Sequence, residues 1–180
     1  IIDLEGSNQP MSIEDDNFVI TFNGEIYNYL ELKKELITLG YSFKTNGDTE
    51  VILKAYEHWG TECIQKLRGM FAFSIWDNIK KEAFIARDHF GIKPELNNEE
   101  KDAFDFDVEF KPNSKVSYDE WIERVEEAID TSVAYHKIAD VPYGSFLSGG
   151  IDSSLIASSL AEKGKSVDVC TMGFSDNEFN

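Results

Sequence analysis

At 180 residues, 42% apolar and 13% aromatic, the chain can fill the core of one ordinary domain or two small ones. Its 34 acidic residues against 17 basic ones give a formal charge of −17, which excludes an electrostatic grip on nucleic acid or on an anionic membrane, since both reward clustered Lys and Arg. No apolar run reaches the roughly 20 residues of a membrane span and no charged-then-apolar leader opens the chain, so a cytoplasmic protein is expected.

The first element is a strand over Phe18–Phe22 in "NFVITFNGEIYN", expected to stop at Asn23-Gly24. A helix should follow. Asn28 and Glu31 have N-cap and capping-box spacing, Tyr29, Leu32, Leu36 and Leu39 fall on one face, and Gly40 supplies the stop. A second helix is expected from about Thr49 to Trp59, carrying Val51, Ile52, Ala55, Tyr56 and Trp59 as its apolar stripe, and "TECIQKLRG" reads as a short third one. "MFAFSIWD" and "EAFIARD" are β-rich runs on either side of a hairpin turn.

From Glu95 the texture turns acidic and weakly periodic until Pro112, which reads as a linker or a disrupted edge. Ser117 and Glu120 form another capping box ahead of a helix to about Ala139, with Ile122, Val125, Ile129, Val133 and His136 on one face. A strand near Val141, the turn "SGGIDSS", a helix to Lys163 and a second strand "VDVCTMGF" then make one βαβ unit. One such unit does not finish a parallel sheet, so the chain is expected to be truncated. Cys63 and Cys170 both sit in regular-looking segments, which suits reduced core thiols better than a disulfide, and three histidines without ligand spacing offer no zinc site.

The turn "LSGGIDSS" carries the first chemical signal. A Walker loop is excluded, because the only "GKS" follows a helix and has Ser159 where the first glycine belongs, and a dinucleotide fingerprint needs three spaced glycines. What remains is a cradle in which Gly149 and Gly150 bare their amides, Ser148, Ser153 and Ser154 offer hydroxyls, and Asp152 holds Mg²⁺ against phosphates. A plain glycine turn with a serine-capped helix start would share this composition. The second signal is Asn23-Gly24. Asn-Gly alone most often marks a tight hairpin turn, but here polar residues follow, and a side-chain amide beside a bare backbone N–H could form an oxyanion hole. Glu25 and Asp48 could pair with an amino-acid ammonium, although for Asp48 helix capping is the plainer reading.

"SGGIDSS" after "DVPYGSFL" resembles the pyrophosphate loop of ATP pyrophosphatases. "IIDLEGSNQPM", "FNGEIYNYLELKKEL", "GDTEVILKAYEHWG", "LRGMFAFSIWD" and "ARDHFGIKP", in this order, are similar to the glutaminase domain of glutamine-hydrolysing asparagine synthetases. The resemblance implies an N-terminal-nucleophile hydrolase with an αββα sandwich, incomplete here, over residues 1–94. It further implies a linker or disrupted segment over 95–116 and the start of a parallel-sheet ATP pyrophosphatase domain over 117–180. By position, Asn23 and Gly24 would form the oxyanion hole and Glu25 and Asp48 would hold glutamine. Leu147, Ser148, Gly149, Gly150, Asp152 and Ser153, with the backbone of Met172, would hold ATP and its pyrophosphate, with Mg²⁺ at Asp152. The substrates implied are glutamine, aspartate and ATP, passing through β-aspartyl-AMP, and a homodimer is the one assembly left open.

Two departures from the family pattern set further expectations. The family's nucleophile is an N-terminal cysteine with a free amine, whereas this chain starts at Ile1 and Cys63 lies within a helix, so the piece is expected to be inactive as a glutaminase. "ELNNEE" replaces the strands that follow "GIKP" in the family, so Pro94 and Glu95 are expected to flank an unseen segment. Rival readings are another amide-forming ligase of the same build, such as a β-lactam synthetase or a peptide-cyclising relative, and a non-catalytic remnant.

Overall fold

A computed structural model describes residues 2–3, 5–13, 16–93, 116–161 and 166–173. The chain divides into two compact units, Ile1–Glu109 and Phe110–Asn180. The expected linker of 95–116 falls almost wholly outside the described residues, as does the continuity of Pro94 with Glu95.

The first unit is built on a four-stranded antiparallel sheet in the order β1 (Met11–Ile13), β2 (Phe18–Ile26), β3 (Gly69–Asp77) and β4 (Glu82–Arg87). Its central pair is held by a continuous register from Phe18 opposite Asp77 to Ile26 opposite Gly69. Alternation sends Ile20, Phe71, Phe73 and Ile75 to one face, where all are buried. Burying each such side chain stabilises the fold by roughly 1.5–3 kcal/mol. On that face lies α2 (Asp48–Trp59), packed on β2 and β1 and flanked by α1 (Tyr29–Thr38). Tyr56 of α2 meets Phe18 edge-on and stacks on Phe84, seating the helix on the sheet. From Asp48 to Tyr56 every residue of α2 is buried, polar ones included. The opposite sheet face leaves Trp76 and Ile85 exposed. Among the described residues the first unit is therefore mixed α/β, with one antiparallel sheet and one helical layer.

Several expectations need correction. β2 does not stop at Asn23-Gly24 but runs to Ile26, because β3 supplies partners for the whole stretch. Asn28 precedes α1 without a side-chain cap, since its carboxamide is committed to the Lys66 carbonyl (2.9 Å) and the Arg68 amide (2.9 Å). Leu39 lies just past the last helical residue, Thr38, and is exposed. The third helix is a 3-10 turn over Gly60–Lys66. The β3–β4 hairpin agrees with the sequence, and buried Asp77 closes its turn by accepting from the amides of Ile79 and Lys80, both at 2.9 Å.

The second unit contains α3 (Tyr118–His136), β5 (Gly144–Phe146), α4 (Ile151–Leu160) and β6 (Asp168–Cys170). Ser117 caps α3 as expected, its Oγ accepting from the Glu120 amide at 3.2 Å. β5 and β6 are parallel neighbours joined through α4, which is the βαβ unit read from the sequence. β5 begins after Pro142 and Tyr143, not at Val141, and α4 ends at Leu160, short of Lys163. Cys170 is exposed, so it is not a core thiol. An apolar groove of about 670 Å³ lies along α3 and α4, lined by Trp121, Ile122, Val125, Ile129 and Leu155. Among the described residues no helix is long and apolar enough to cross a membrane.

Candidate functional site

The site in the first unit is the edge of β2 that faces away from β3. Phe71 spends its main-chain groups on Asp88: its carbonyl accepts from the Asp88 amide (2.7 Å) and its amide donates to Asp88 Oδ2 (3.1 Å). The residue opposite it, Gly24, is therefore in a pair that does not exchange bonds with β3, and the amides of Phe22, Gly24 and Ile26 point outward together. β1 cannot cover them, because its last partner on β2 is Ile20. Side chains take over instead. Gln9 Oε1 accepts from the Phe22 amide, and Asp48 Oδ2 accepts from the Ile26 amide at 3.0 Å. The Gly24 amide lies between these two anchors, about 7 Å from each along the strand.

Gly24 is required there by close approach. Its φ is +154°, and a Cβ would collide with the Met70 carbonyl oxygen and lie 2.6 Å from Phe71 Cα. Asn23 is exposed beside it and Glu25 is half-buried. Asp48, 6% exposed, is the first residue of α2 rather than its N-cap, a position held by Gly47. Burial pushes its carboxyl above the usual range and the charge of Glu25 adds to that push, while the amides of Ile26, Thr49 and its own residue pull against it. The structure thus brings together a strand-edge amide, an exposed carboxamide and two neighbouring carboxylates. That set can hold an oxyanion at one end and an ammonium at the other.

Cys63 lies outside this constellation. It is fully buried, and burial alone pushes its thiol up to about 12, which rules out a thiolate nucleophile there.

In the second unit, the loop between β5 and α4 is open to solvent. Gly149 has a φ of +80° with nothing within 4 Å of a would-be Cβ, so backbone conformation, not space, demands glycine. Gly150 is the N-cap of α4. The serines differ from expectation in that the loop itself occupies their hydroxyls. Ser153 Oγ donates to the Gly150 carbonyl (3.1 Å), accepts from the Ser148 amide (3.2 Å) and lies 3.0 Å from Ser148 Oγ, while Ser154 Oγ turns back on the Gly150 carbonyl (2.8 Å). They shape the turn. Leu147 joins β6 through its amide to the Cys170 carbonyl (2.9 Å), and Met172, two residues past the end of β6, is exposed. Asp152 is an exposed carboxylate in the first turn of α4. Mg²⁺ draws most of its ligands from water and phosphate, so a single protein carboxylate such as Asp152 is compatible with it. Among the described residues no group of three His, Cys, Asp or Glu side chains could hold a metal unaided.

Sequence reasoning missed Gln9, Glu50 and Asp88. Gln9 precedes Pro10 in an irregular segment, and its bond to Phe22 spans 13 residues without a local signal. Glu50 and Asp88 are buried carboxylates satisfied by backbone amides, a role that composition does not announce.

Comparison with known proteins gives two family matches, a glutamine amidotransferase domain over residues 1–148 and asparagine synthase over residues 124–180. The chain is 36% identical over 242 aligned positions to "Asparagine synthetase [glutamine-hydrolyzing] 1" of Bacillus subtilis, covering 100% of this chain and 38% of that one. It is 35% identical over 259 positions to a putative asparagine synthetase (glutamine-hydrolysing) of Mycobacterium tuberculosis, covering 100% and 39%. The chain therefore spans well under half the length of these relatives. Both alignments are also longer than its 180 residues, so the relatives carry positions that have no counterpart here. Among solved structures, a glutamine phosphoribosylpyrophosphate amidotransferase from B. subtilis matches at 25% identity with a TM-score of 0.38, covering 45% of this chain and 20% of that one.

Proposed function

The chain belongs to the glutamine-hydrolysing asparagine synthetase family, and from that premise we propose that it carries the glutaminase part and the opening of the ATP-using part of an enzyme that makes asparagine in the cytoplasm. Glutamine and water give glutamate and ammonia in the glutaminase part of the complete gene product, to which residues 1–94 contribute the groups that hold glutamine and its oxyanion, and not the nucleophile. Aspartate and ATP give β-aspartyl-AMP and pyrophosphate at a site begun by residues 117–180, and ammonia then displaces AMP from the aspartyl carbonyl.

The observation that carries this reading is the Gly24 amide on the open edge of β2, between the anchors Gln9 and Asp48. It is the strand-edge donor that an amide hydrolase needs for the oxygen of its tetrahedral intermediate, and the Asn23 carboxamide is the second donor. Asp48 and Glu25 take the α-ammonium of glutamine, and the strand repeat separates the two ends by a distance an extended glutamine can span. In the ATP-using part, the amides of Gly149 and Gly150 and the start of α4 receive the pyrophosphate, on a turn shaped by Ser148 and Ser153. Leu147 and the backbone of Met172 border the nucleotide. Asp152 would hold Mg²⁺, which would supply neutralisation of phosphate charge there.

The test is glutamine binding and hydrolysis by the complete gene product. Asn23→Ala is expected to lower the hydrolysis rate about 100-fold while leaving glutamine affinity within about threefold, since an oxyanion donor acts chiefly in the transition state. Asp48→Asn is expected to weaken binding itself. Equal loss of rate and affinity in Asn23→Ala, or intact affinity in Asp48→Asn, would remove these roles.

A further inference from the structure

Glu50 is 2% exposed and sits on the first turn of α2, two residues after Asp48. A glutamate three residues past an N-cap ordinarily folds back to the N-cap amide. This one reaches further, to the segment leading into the helix. Its carboxylate accepts from the amides of Lys44 (3.0 Å) and Thr45 (2.7 Å) and from the Thr45 hydroxyl (2.7 Å). The same segment is tied at two more points, the Thr45 carbonyl accepting from Lys33 Nζ (2.8 Å) and the Asn46 amide donating to Asp3 Oδ2 (2.7 Å). Only Gly47 separates the last tied residue, Asn46, from Asp48, whose Oδ2 accepts from the Ile26 amide at the β2 edge.

We infer that Glu50 is a positioning residue for glutamine: by fixing residues 44–47 against α2 it sets where the Asp48 carboxylate stands relative to Gly24 and Glu25. It touches no substrate and acts through Asp48. The inference rests on the proposed role of Asp48 as part of the glutamine clamp. A buried carboxylate bound by two amides and a hydroxyl could instead serve stability alone, so the test needs a readout that stability does not move. Coupling to Asp48 is that readout.

The experiment is a double-mutant cycle on L-glutamine affinity, measured by titration calorimetry with the complete gene product. Glu50→Gln keeps one acceptor oxygen and is expected to raise the Kd for glutamine about tenfold, the scale of a sub-ångström misplacement of a binding group. In the Asp48→Asn background the same change is expected to add less than about twofold. Thr45→Val, which removes only the hydroxyl donor, is a milder second probe expected to show a smaller effect with the same dependence on Asp48. Equal effects in both backgrounds, or wild-type affinity in both Glu50→Gln and Thr45→Val, would overturn the inference while the clamp stands. An Asp48→Asn variant that binds glutamine normally would overturn the clamp and this inference with it.

Discussion

Asp48 and Asp88 are buried carboxylates with opposite electrostatic outcomes. Burial raises both, but at Asp88 the amides of Ile92, Lys93, Phe71 and Phe90 outweigh it and hold the carboxyl below its usual range. At Asp48 burial prevails. The stability that Asp88 contributes is present above the ordinary carboxylate value and is lost as pH falls through its lowered native value. Asp48 does the reverse, since its charged form is disfavoured in the native state and stability drops as pH rises from the ordinary value through the raised one. Thermal unfolding across pH should therefore separate the variants. Asp88→Asn is expected to cost about 3 kcal/mol at neutral pH, with the gap closing in acid, whereas Asp48→Asn should gain on the wild type as pH climbs past the usual carboxylate range. Parallel curves for the two variants would contradict these assignments. None of this could be read from the sequence, where an Asp ahead of a helical stripe reads as a cap. One of its partners, the Ile26 amide, lies 22 residues away.

Among the elements, the ones with strong local periodicity were legible and their ends were not. α2 and the β3–β4 hairpin follow their patterns, as do the capped start of α3 and the parallel β5–α4–β6 unit. β2 outran its expected stop because Asn-Gly is a turn signal only when no partner strand is present, and β3 pairs it to Ile26. The same pairing makes the site residue Gly24 structural as well. Its missing side chain admits the Met70 carbonyl and Phe71 Cα, so Gly24→Ala is expected to destabilise the first unit by more than about 2 kcal/mol through forced separation of β2 from β3. Urea denaturation measures this directly, and a cost under about 0.5 kcal/mol would show that the strands can part cheaply. Of the cradle serines only Ser148 lies in the loop between β5 and α4; the helix starts at Ile151, earlier than expected, so Ser153 and Ser154 sit on its first turn, and their hydroxyls hold the turn itself, a partition that depends on rotamers and not on spacing.

For the molecule as a whole, residue order announced the family: five segments of one domain followed by one loop of another, matched by the two family comparisons. Less of the fold could be read: the expected αββα sandwich requires two sheets, and the described residues of the first unit hold one, with Trp76 and Ile85 exposed on its outer face. In the function we propose, the turn at Gly149 and Gly150 belongs to a nucleotide-cleaving ligase whose acceptor is aspartate. Exchange of labelled pyrophosphate into ATP by the complete gene product tests it most directly. Exchange is expected to require L-aspartate and Mg²⁺ and to fall at least about tenfold in Gly149→Ala, where a side chain must adopt a left-handed backbone at that turn. Exchange supported by a different acceptor, or none with aspartate at any Mg²⁺ concentration, would contradict it.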